Sequence, residues 1–257
     1  MHNPHGAMSP RTSICLTIAS LTIAACLSGD GYAANWSIVE ANTTQLDTTS
    51  VSFSVDEMSG VTYAGPSPVV GLHRFFTVQD DGTGVVTFDA AFDLAGNLVA
   101  ATAISELALS PGLDQEGIVE IGDTIYVSDE NGPGVRQYDP TTGNQLQSVN
   151  VPAVFANRRS NRGFESLAYD ADQSALWAAN EEALTVDGAL ATSSAGTTVR
   201  LLELDVVGDS VTAGRQFASE VEPLQGAAIS GARSGWADLV SLPDGSRVAL
   251  ERSAAGA

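Results

Sequence analysis

Residues 161–184 read NRGFESLAYDADQSALWAANEEAL and have the pattern of a β-hairpin. FESLAYD and ALWAAN are short segments rich in apolar and aromatic residues, and the intervening DADQS is rich in turn-forming residues. Strand pairing needs only such segments and a turn. The segment nevertheless places Arg162 and Glu165 at its start and Glu181 and Glu182 at its end. Charges gathered at one end of a hairpin suggest a second role for that end.

Related segments occur before and after this hairpin. QEGIVEIGDTIYVSDENGPGVRQYD begins at Gln115, a looser copy begins with SGVTYA at Ser59, and ADLVSLPDGSRVALER ends at Arg252. A third and a fourth strand are predicted after the first three hairpins, the fourth near residues 98–104, 145–151 and 211–217. Repeated antiparallel units of four strands are typical of β-propeller blades. The sequence therefore predicts an all-β propeller of four-stranded antiparallel blades, with about three and a half blades present.

This count leaves the predicted ring open, because propellers typically have four to eight blades. One interpretation is that the chain is a fragment of a longer protein, truncated at its C-terminus, which predicts an exposed edge strand there. The other is that the C-terminal end pairs with residues 34–56 to complete a small ring. We favour the fragment, and divide the chain into an N-terminal segment at 34–54 and a propeller domain at 55–257.

The first 33 residues have the features of a secretory signal peptide. Arg11 precedes the apolar run ICLTIASLTIAACL, and small residues follow, so cleavage is predicted after Ala33. The segment IAAC, which ends at Cys26, also resembles the recognition motif of bacterial lipoproteins, in which the cysteine is lipidated. Cys26 would then be a lipid anchor. We therefore expect a secreted or periplasmic protein or, alternatively, a membrane-anchored lipoprotein. Both cysteines lie in this segment, so the mature domain is expected to have no thiol chemistry.

The charge of the chain is strongly acidic. Its 31 acidic and 11 basic residues give a formal net charge of -20, and every basic residue is an arginine. Such a surface repels nucleic acid and anionic lipid. We therefore expect no nucleic-acid partner.

Overlaying the repeats places acidic residues in columns. Because a propeller relates equivalent positions by rotation about its axis, a column in the alignment becomes an arc around the channel. The columns are Asp81, Glu130, Glu181 and Glu251 at the ends of the returning strands, and Glu116, Glu165 and Asp238, with Ser59, at the blade starts.

Converging carboxylates repel one another, so a positive group is expected close to them. One candidate is a hard cation such as calcium, which binds carboxylate and carbonyl oxygens. The other is a set of arginines in the same motifs, namely Arg136, Arg162, Arg200 and Arg252. A purely structural role, in which each glutamate ties neighbouring blades together, remains open. The candidate metal ligands are Glu116, Asp129, Glu130, Glu181 and Glu182, and the candidate catalytic residues are Glu165 and Arg162.

Four motifs resemble a known family. DQEGI…YVSDENGP from Asp114, NRGFESLAYD from Asn161, AANEEAL from Ala178 and DLVSLPDGSRVALER from Asp238 are similar to the phytase-like domain, also called the esterase-like activity of phytase family. The resemblance implies a secreted bacterial β-propeller hydrolase acting on a small-molecule phosphate or carboxylic ester. By analogy with β-propeller phytases it also implies calcium held by acidic channel residues. Ser166 departs from the family pattern, which usually has Gly at that position.

Other hydrolase chemistries have little support in the sequence. VVGDSVTAG around Ser210 is similar to the first block of GDSL esterases, but His73 lies far upstream and no Asp-x-x-His follows, so a polar turn is expected. No G-x-S-x-G nucleophile elbow occurs. Metal-assisted hydrolysis is the remaining enzymatic route, in which Glu165 would help to hold cations and Arg162 would neutralise the substrate. The alternatives are a non-catalytic extracellular binding module and a lactonase-type propeller with a single metal.

Overall fold

The computed structural model describes residues 20–26, 35–80, 84–225 and 230–254, with backbone only for 20–26 and 35–42. Two strands at the start, β1 (Ser20–Cys26) and β2 (Asn35–Asn42), form an antiparallel pair. The short β3 (Leu46–Asp47) follows. The predicted signal peptide falls largely on residues outside the described ranges, and its cleavage after Ala33 and lipidation of Cys26 stay predictions.

The next strands form three blades and part of a fourth. The first blade contains β4 (Met58–Pro66), β5 (His73–Gln79), β6 (Gly84–Phe92) and β7 (Leu98–Ala108). The second contains β8 (Gln115–Ile121), β9 (Thr124–Asp129), β10 (Gly134–Tyr138) and β11 (Gln145–Val149). The third contains β12 (Phe164–Asp170), β13 (Ala175–Asn180), β14 (Thr197–Val207) and β15 (Ser210–Val221). The fourth contains β16 (Arg233–Ser241) and β17 (Arg247–Ala254).

Strand order confirms the predicted blade architecture. Within each of the first three blades the strands follow one another across the sheet in chain order and are antiparallel. The first strands of successive blades contact each other, β4 with β8, β8 with β12 and β12 with β16. These four inner strands therefore form an arc around a common centre, as in part of a propeller. A 3₁₀ helix at Ala153–Asn157 leads into the third blade.

The N-terminal segment joins the first blade. Strand β3 pairs in parallel with β7 and becomes a fifth strand at the outer edge of that sheet. The interpretation in which residues 34–56 pair with the C-terminal end is therefore wrong. Among the described residues β17 pairs only with β16, which agrees with the expected edge strand. Within the residues that the structure describes, no helix is long and apolar enough to cross a membrane.

Apolar clusters fill the spaces between blades. In β8, Ile118 packs in a cluster with residues of the first blade, whereas Val119 packs with residues of the third. In β12, Leu167 belongs to the cluster shared with the second blade and Ala168 to the one shared with the fourth, which includes Trp236. Successive side chains of a strand point to opposite faces, so β8 and β12 are buried on both sides. This packing fixes the positions of the inner-strand ends that carry the charged residues.

Candidate functional site

A β-bulge near the start of each inner strand positions the first set of acidic residues. In β12 the pairing passes from Phe164 with Asn180 to Ser166 with Ala179, which leaves Glu165 without a partner of its own. In β8 the same irregularity lies between Gln115 and Ile118 and includes Glu116. A bulge redirects a side chain that regular pairing would aim elsewhere. Ser59 of the first blade and Ala237 of the fourth occupy the corresponding bulge position.

The strand register identifies the second set of equivalent residues, which are Asp80, Glu130 and Glu181 in the first three blades. Their main-chain N–H groups donate to main-chain carbonyl oxygens over 2.9, 2.9 and 3.0 Å. Each accepting residue lies two positions before the bulge residue of its inner strand, and the acceptors are Glu57, Asp114 and Gly163. Gly235 of β16 lies two positions before the bulge residue Ala237 and pairs with Arg252 of β17. Arg252 therefore occupies the equivalent position in the fourth blade. The predicted column was therefore wrong by one residue in the first and fourth blades, because Asp80 replaces Asp81 and Arg252 replaces Glu251. Asp81 itself lies outside the described residues.

Two other residues of the predicted columns have local structural roles. The carboxylate of Glu251 accepts a hydrogen bond from the Glu222 N–H over 2.9 Å. Asp238 corresponds to Ser166 and to two glycines of the earlier blades, and its Oδ1 accepts from the Leu239 N–H over 2.7 Å. Burial raises the pKa of Asp238 to about 6. Neither carboxylate lines the cavity described next.

The inner-strand ends surround a cavity of about 440 Å³. Its wall is formed by residues of all four blades, so it lies at the centre of the arc. Most of its charged side chains are acidic, and its two arginines come from the third and fourth blades. The lining residues are Glu57, Met58, Ser59, Asp80, Glu116, Glu130, Asn161, Arg162, Glu165 and Arg252.

Three glutamates meet beside this cavity. One carboxylate oxygen from each of Glu130, Glu165 and Glu181 lies within 4.8 Å of the others. Glu130 and Glu181 are 1% and 2% exposed, and Glu165 is 9% exposed. Neither carboxylate oxygen of Glu130 has a hydrogen-bond partner, although both are buried. We call these three residues the glutamate triad. A buried carboxylate without partners is costly, so the triad is suited to receive a positive ligand.

Arginines surround the triad on the side of the third and fourth blades. Arg162 Nε lies 3.1 Å from Glu181 Oε2 and 3.5 Å from Glu182 Oε1. Arg252 hydrogen-bonds Glu181 through Nη2, and the same atom lies 3.5 Å from Glu165 Oε1. Glu130 makes no ion pair with these arginines in the described structure. The arginines therefore neutralise the triad only in part.

Glu182 is held differently. Arg233 Nη1 donates to both of its carboxylate oxygens, over 3.0 and 3.1 Å. Together with Arg162, this arginine satisfies the charge of Glu182. Glu182 thus lies next to the triad in sequence but serves to tie the fourth blade to the third.

A second acidic group lies across the cavity. One oxygen from each of Asp80, Asp114 and Glu116 lies within 4.8 Å of the others. Glu116 accepts a hydrogen bond from the Ser59 hydroxyl, and Asp114 accepts one from the Asn131 amide. This group brings the first and second blades into the site.

Burial and mutual repulsion raise the pKa values of the cavity glutamates. Burial is the main cause for Glu116, whose pKa rises to about 9, and the charge of Glu165 adds to it. Burial, with the charge of Glu181, raises the pKa of Glu165 to about 8. Burial, with the charge of Asp114, raises the pKa of Glu130 to about 7. These carboxyl groups therefore retain protons near neutral pH, and a bound cation would favour their ionised forms.

The structure thus brings together six of the seven predicted site residues. Glu116, Glu130, Arg162, Glu165, Glu181 and Glu182 all belong to one cluster around or next to the cavity. Asp129 does not join it, because its carboxylate accepts from the Gly132 N–H over 3.0 Å and pairs with Arg136 at 3.2 Å. Arg200 is also elsewhere, where it pairs with Asp187.

Sequence reasoning missed Asp80, Asp114 and Arg233. The available signal for Arg233 was the segment ARSGW, which lies at the start of the last inner strand as NRGF lies at the start of the third. Asp80 was missed because the sequence DDGTG does not indicate the register of the first hairpin. Asp114 belongs to the motif DQEGI, but its role depends on the proximity of Asp80 in the preceding blade.

The donor set of the triad fits a hard divalent cation. Calcium is bound by carboxylate and carbonyl oxygens, and the triad offers three carboxylates of which one has no protein partner. No sulfur or imidazole ligand belongs to either acidic group. These buried acidic clusters could therefore hold a metal of the calcium or magnesium type.

A solved structure of Kuenenia stuttgartiensis hydrazine synthase aligns with 77% of this chain and 56% of that chain, at 14% sequence identity and a TM-score of 0.37. The chain thus spans just over half the length of that structure. No curated protein sequence matches the chain.

A family model described as "Phytase-like: Esterase-like activity of phytase" matches residues 54–257. The matched region contains all four blades, both acidic groups and the arginines that contact the triad. Membership of this family supports a hydrolase-like function. The chain therefore belongs to the phytase-like family that this model describes.

Proposed function

We propose that this protein is a secreted hydrolase that uses calcium to cleave phosphate esters in the cavity between its blades. The observation that carries the proposal is the glutamate triad, in which both oxygens of buried Glu130 lack a hydrogen-bond partner. A site of this kind is stabilised when a cation binds, because binding replaces repulsion by attraction. The secreted location rests on the predicted signal peptide at residues 1–33.

The triad would hold the cation. Glu130 and Glu181 are almost fully buried and fixed by strand ends of two different blades, so they form a rigid pair of ligands. Glu165 completes the set from its bulge. When bound, calcium would polarise a phosphoryl oxygen and lower the pKa of a water molecule.

The remaining cavity residues supply substrate binding and proton transfer. Arg162 lines the cavity and would attract the negative charge of a phosphate ester. Glu165, the most exposed member of the triad, would orient the attacking water. Glu116 lies outside the triad and has a pKa of about 9, so it holds a proton at neutral pH and could donate it to the leaving alcohol oxygen.

Two measurements on one preparation test this function. Calcium is titrated into chelator-treated protein by calorimetry, and hydrolysis of a chromogenic phosphate monoester is followed with and without calcium. We expect saturable binding and calcium-dependent turnover, and loss of both in Glu130→Gln. Absence of both binding and turnover would contradict the proposal. A parallel panel of carboxylic esters and lactones identifies the substrate class, including the lactonase-type alternative with a single metal.

The second candidate is a non-catalytic binding module. It is favoured by the ion pairs of Arg233 with Glu182 and of Arg252 with Glu181, which join the third and fourth blades and could be purely structural. Under this alternative, Glu165→Gln and Glu181→Gln lower the melting temperature but leave the response to calcium unchanged. Under the proposed function they weaken calcium binding.

A further inference from the structure

Arg252 occupies a position that is acidic in the other blades. The strand register aligns it with Asp80, Glu130 and Glu181, which follow the second strands of the first three blades. The fourth blade therefore has a guanidinium at the position where each of the other three blades has a carboxylate. This substitution places a positive charge in the arc where the acidic groups converge.

The contacts of Arg252 fall on the triad itself. Its Nη2 hydrogen-bonds Glu181 and lies 3.5 Å from Glu165 Oε1, so two of the three triad carboxylates share this group. The other arginines differ from it. Arg233 contacts Glu182, outside the triad, and Arg162 makes no contact with Glu165 or Glu130 within ion-pair distance. In the described structure Arg252 is therefore the arginine that bridges two triad members.

The side chain of Arg252 is only partly buried. Its side chain is 50% exposed, compared with 22% for Arg162, and it lines the cavity. It projects from β17, whose only partner strand in the described part of the chain is β16. A half-exposed guanidinium that lines the cavity can leave the triad and remain in the cavity without disturbing an apolar cluster.

We propose that Arg252 acts as an internal counter-cation that competes with the metal for Glu165 and Glu181, and that metal binding releases its guanidinium to bind the anionic part of the substrate. A guanidinium and a divalent cation repel each other and cannot both use these carboxylate oxygens. Arg252 thereby links metal binding to substrate recognition. The inference rests on the proposed function, because it assumes the same cation site.

Calcium affinity measured by calorimetry tests the competition. We compare the wild type with Arg252→Gln, with Arg252→Lys, and with Arg215→Gln as a control. Arg215 pairs with Glu203 and does not line the cavity. Its replacement by glutamine changes the net charge by the same amount as Arg252→Gln. We expect Arg252→Gln to bind calcium at least about tenfold more tightly, Arg252→Lys to lie between it and the wild type, and the control to match the wild type. The lysine variant carries the test if the glutamine variant fails to fold.

Equal or weaker calcium binding by the Arg252 variants would overturn the competition, as would no binding by any protein. Binding by Arg252→Gln when the wild type shows none would support it, even if no substrate is hydrolysed. Failure of the proposed function and failure of this inference are therefore distinguishable.

The release of the Arg252 guanidinium is tested by measuring the binding of inorganic phosphate in saturating calcium. We expect Arg252→Gln to bind phosphate about tenfold more weakly than the wild type, and Arg215→Gln to bind it equally well. Without calcium, the same substitution should have little effect on phosphate binding, because Arg252 is then held by the triad. Equal phosphate affinity of the wild type and Arg252→Gln in calcium would overturn this part of the proposal.

Discussion

Gly163 packs directly against the main chain of Glu130, and a Cβ atom at position 163 would lie 2.0 Å from the Glu130 carbonyl oxygen. The same relationship recurs between Gly235 and Glu181, where the distance would be 2.6 Å. In both cases a glycine at the start of an inner strand touches the acidic residue of the preceding blade. These close approaches set the spacing between successive blades, and therefore the distance between the carboxylates that form the triad.

Replacing Gly163 by alanine is expected to separate the second and third blades. The added Cβ collides with main-chain atoms, which cannot move as a side-chain end can, so we expect a loss of at least about 2 kcal/mol in the free energy of unfolding. Denaturant unfolding measures it. Gly134→Ala is the control, because its nearest heavy atom would be the Gly132 oxygen at 3.1 Å. Equal stability of the two variants would contradict the close approach.

The stability of the metal-free protein should fall as pH rises. In the folded state the pKa values of Glu130, Glu165 and Glu116 are raised from 4.5 to about 7, 8 and 9. The folded protein therefore binds more protons than the unfolded chain, so this contribution is fully present below about pH 4.5 and is lost as pH rises through 7 to 9. Each group changes the free energy by roughly 1.4 kcal/mol per pH unit in its window.

Calorimetric melting at pH 5, 7 and 9 with a chelator measures this effect. The net charge of the whole chain acts in the same direction, so the Glu165→Gln variant is needed to isolate the site. We expect its melting temperature to fall less steeply with pH than that of the wild type. Calcium should restore part of the stability at pH 9. Parallel profiles for variant and wild type would show that the cavity glutamates are not the cause.

Glu130→Gln and Asp129→Asn form a matched pair, because they change neighbouring residues on opposite sides of one strand end. We expect Glu130→Gln to abolish stabilisation by calcium while leaving the metal-free protein at pH 8 at least as stable as the wild type, since a buried repulsive charge is removed. Asp129→Asn should cost about 1–3 kcal/mol, because it weakens the Arg136 ion pair, and should keep the calcium response. Calorimetry with and without calcium gives both results. Loss of the response in Asp129→Asn alone would reverse the assignment.

Ser166 and Ser128 allow a test of hydrogen-bond satisfaction in the inner sheet. Both side chains are fully buried, but the Ser166 hydroxyl has no partner, whereas Ser128 Oγ accepts from the Gly117 N–H over 2.7 Å. We therefore expect Ser166→Ala to be neutral or slightly stabilising, and Ser128→Ala to cost about 1–3 kcal/mol. Urea unfolding measures both. A large loss in Ser166→Ala would reveal a partner for that hydroxyl.

The blade pattern was predictable because it depends on local chemistry. The short apolar segments FESLAYD and ALWAAN, with turn residues between them, indicate a hairpin. Its repetition predicted the three complete blades and the inner hairpin of the fourth, and the family motifs identified Glu116, Glu165 and Glu181 as residues of interest. The expected order of strands within each blade was confirmed by the structure.

Only the tertiary structure decided which charges meet. A bulge places two residues opposite one, and a shift of one residue moves a side chain to the other face of the sheet. For this reason Asp80 and Arg252, rather than Asp81 and Glu251, continue the arc of Glu130 and Glu181. The sequence by itself determined the repeating strands and their acidic ends. The register at the bulges and the contacts between blades determined that Glu130 is left without a partner and that Arg252 bridges two members of the triad.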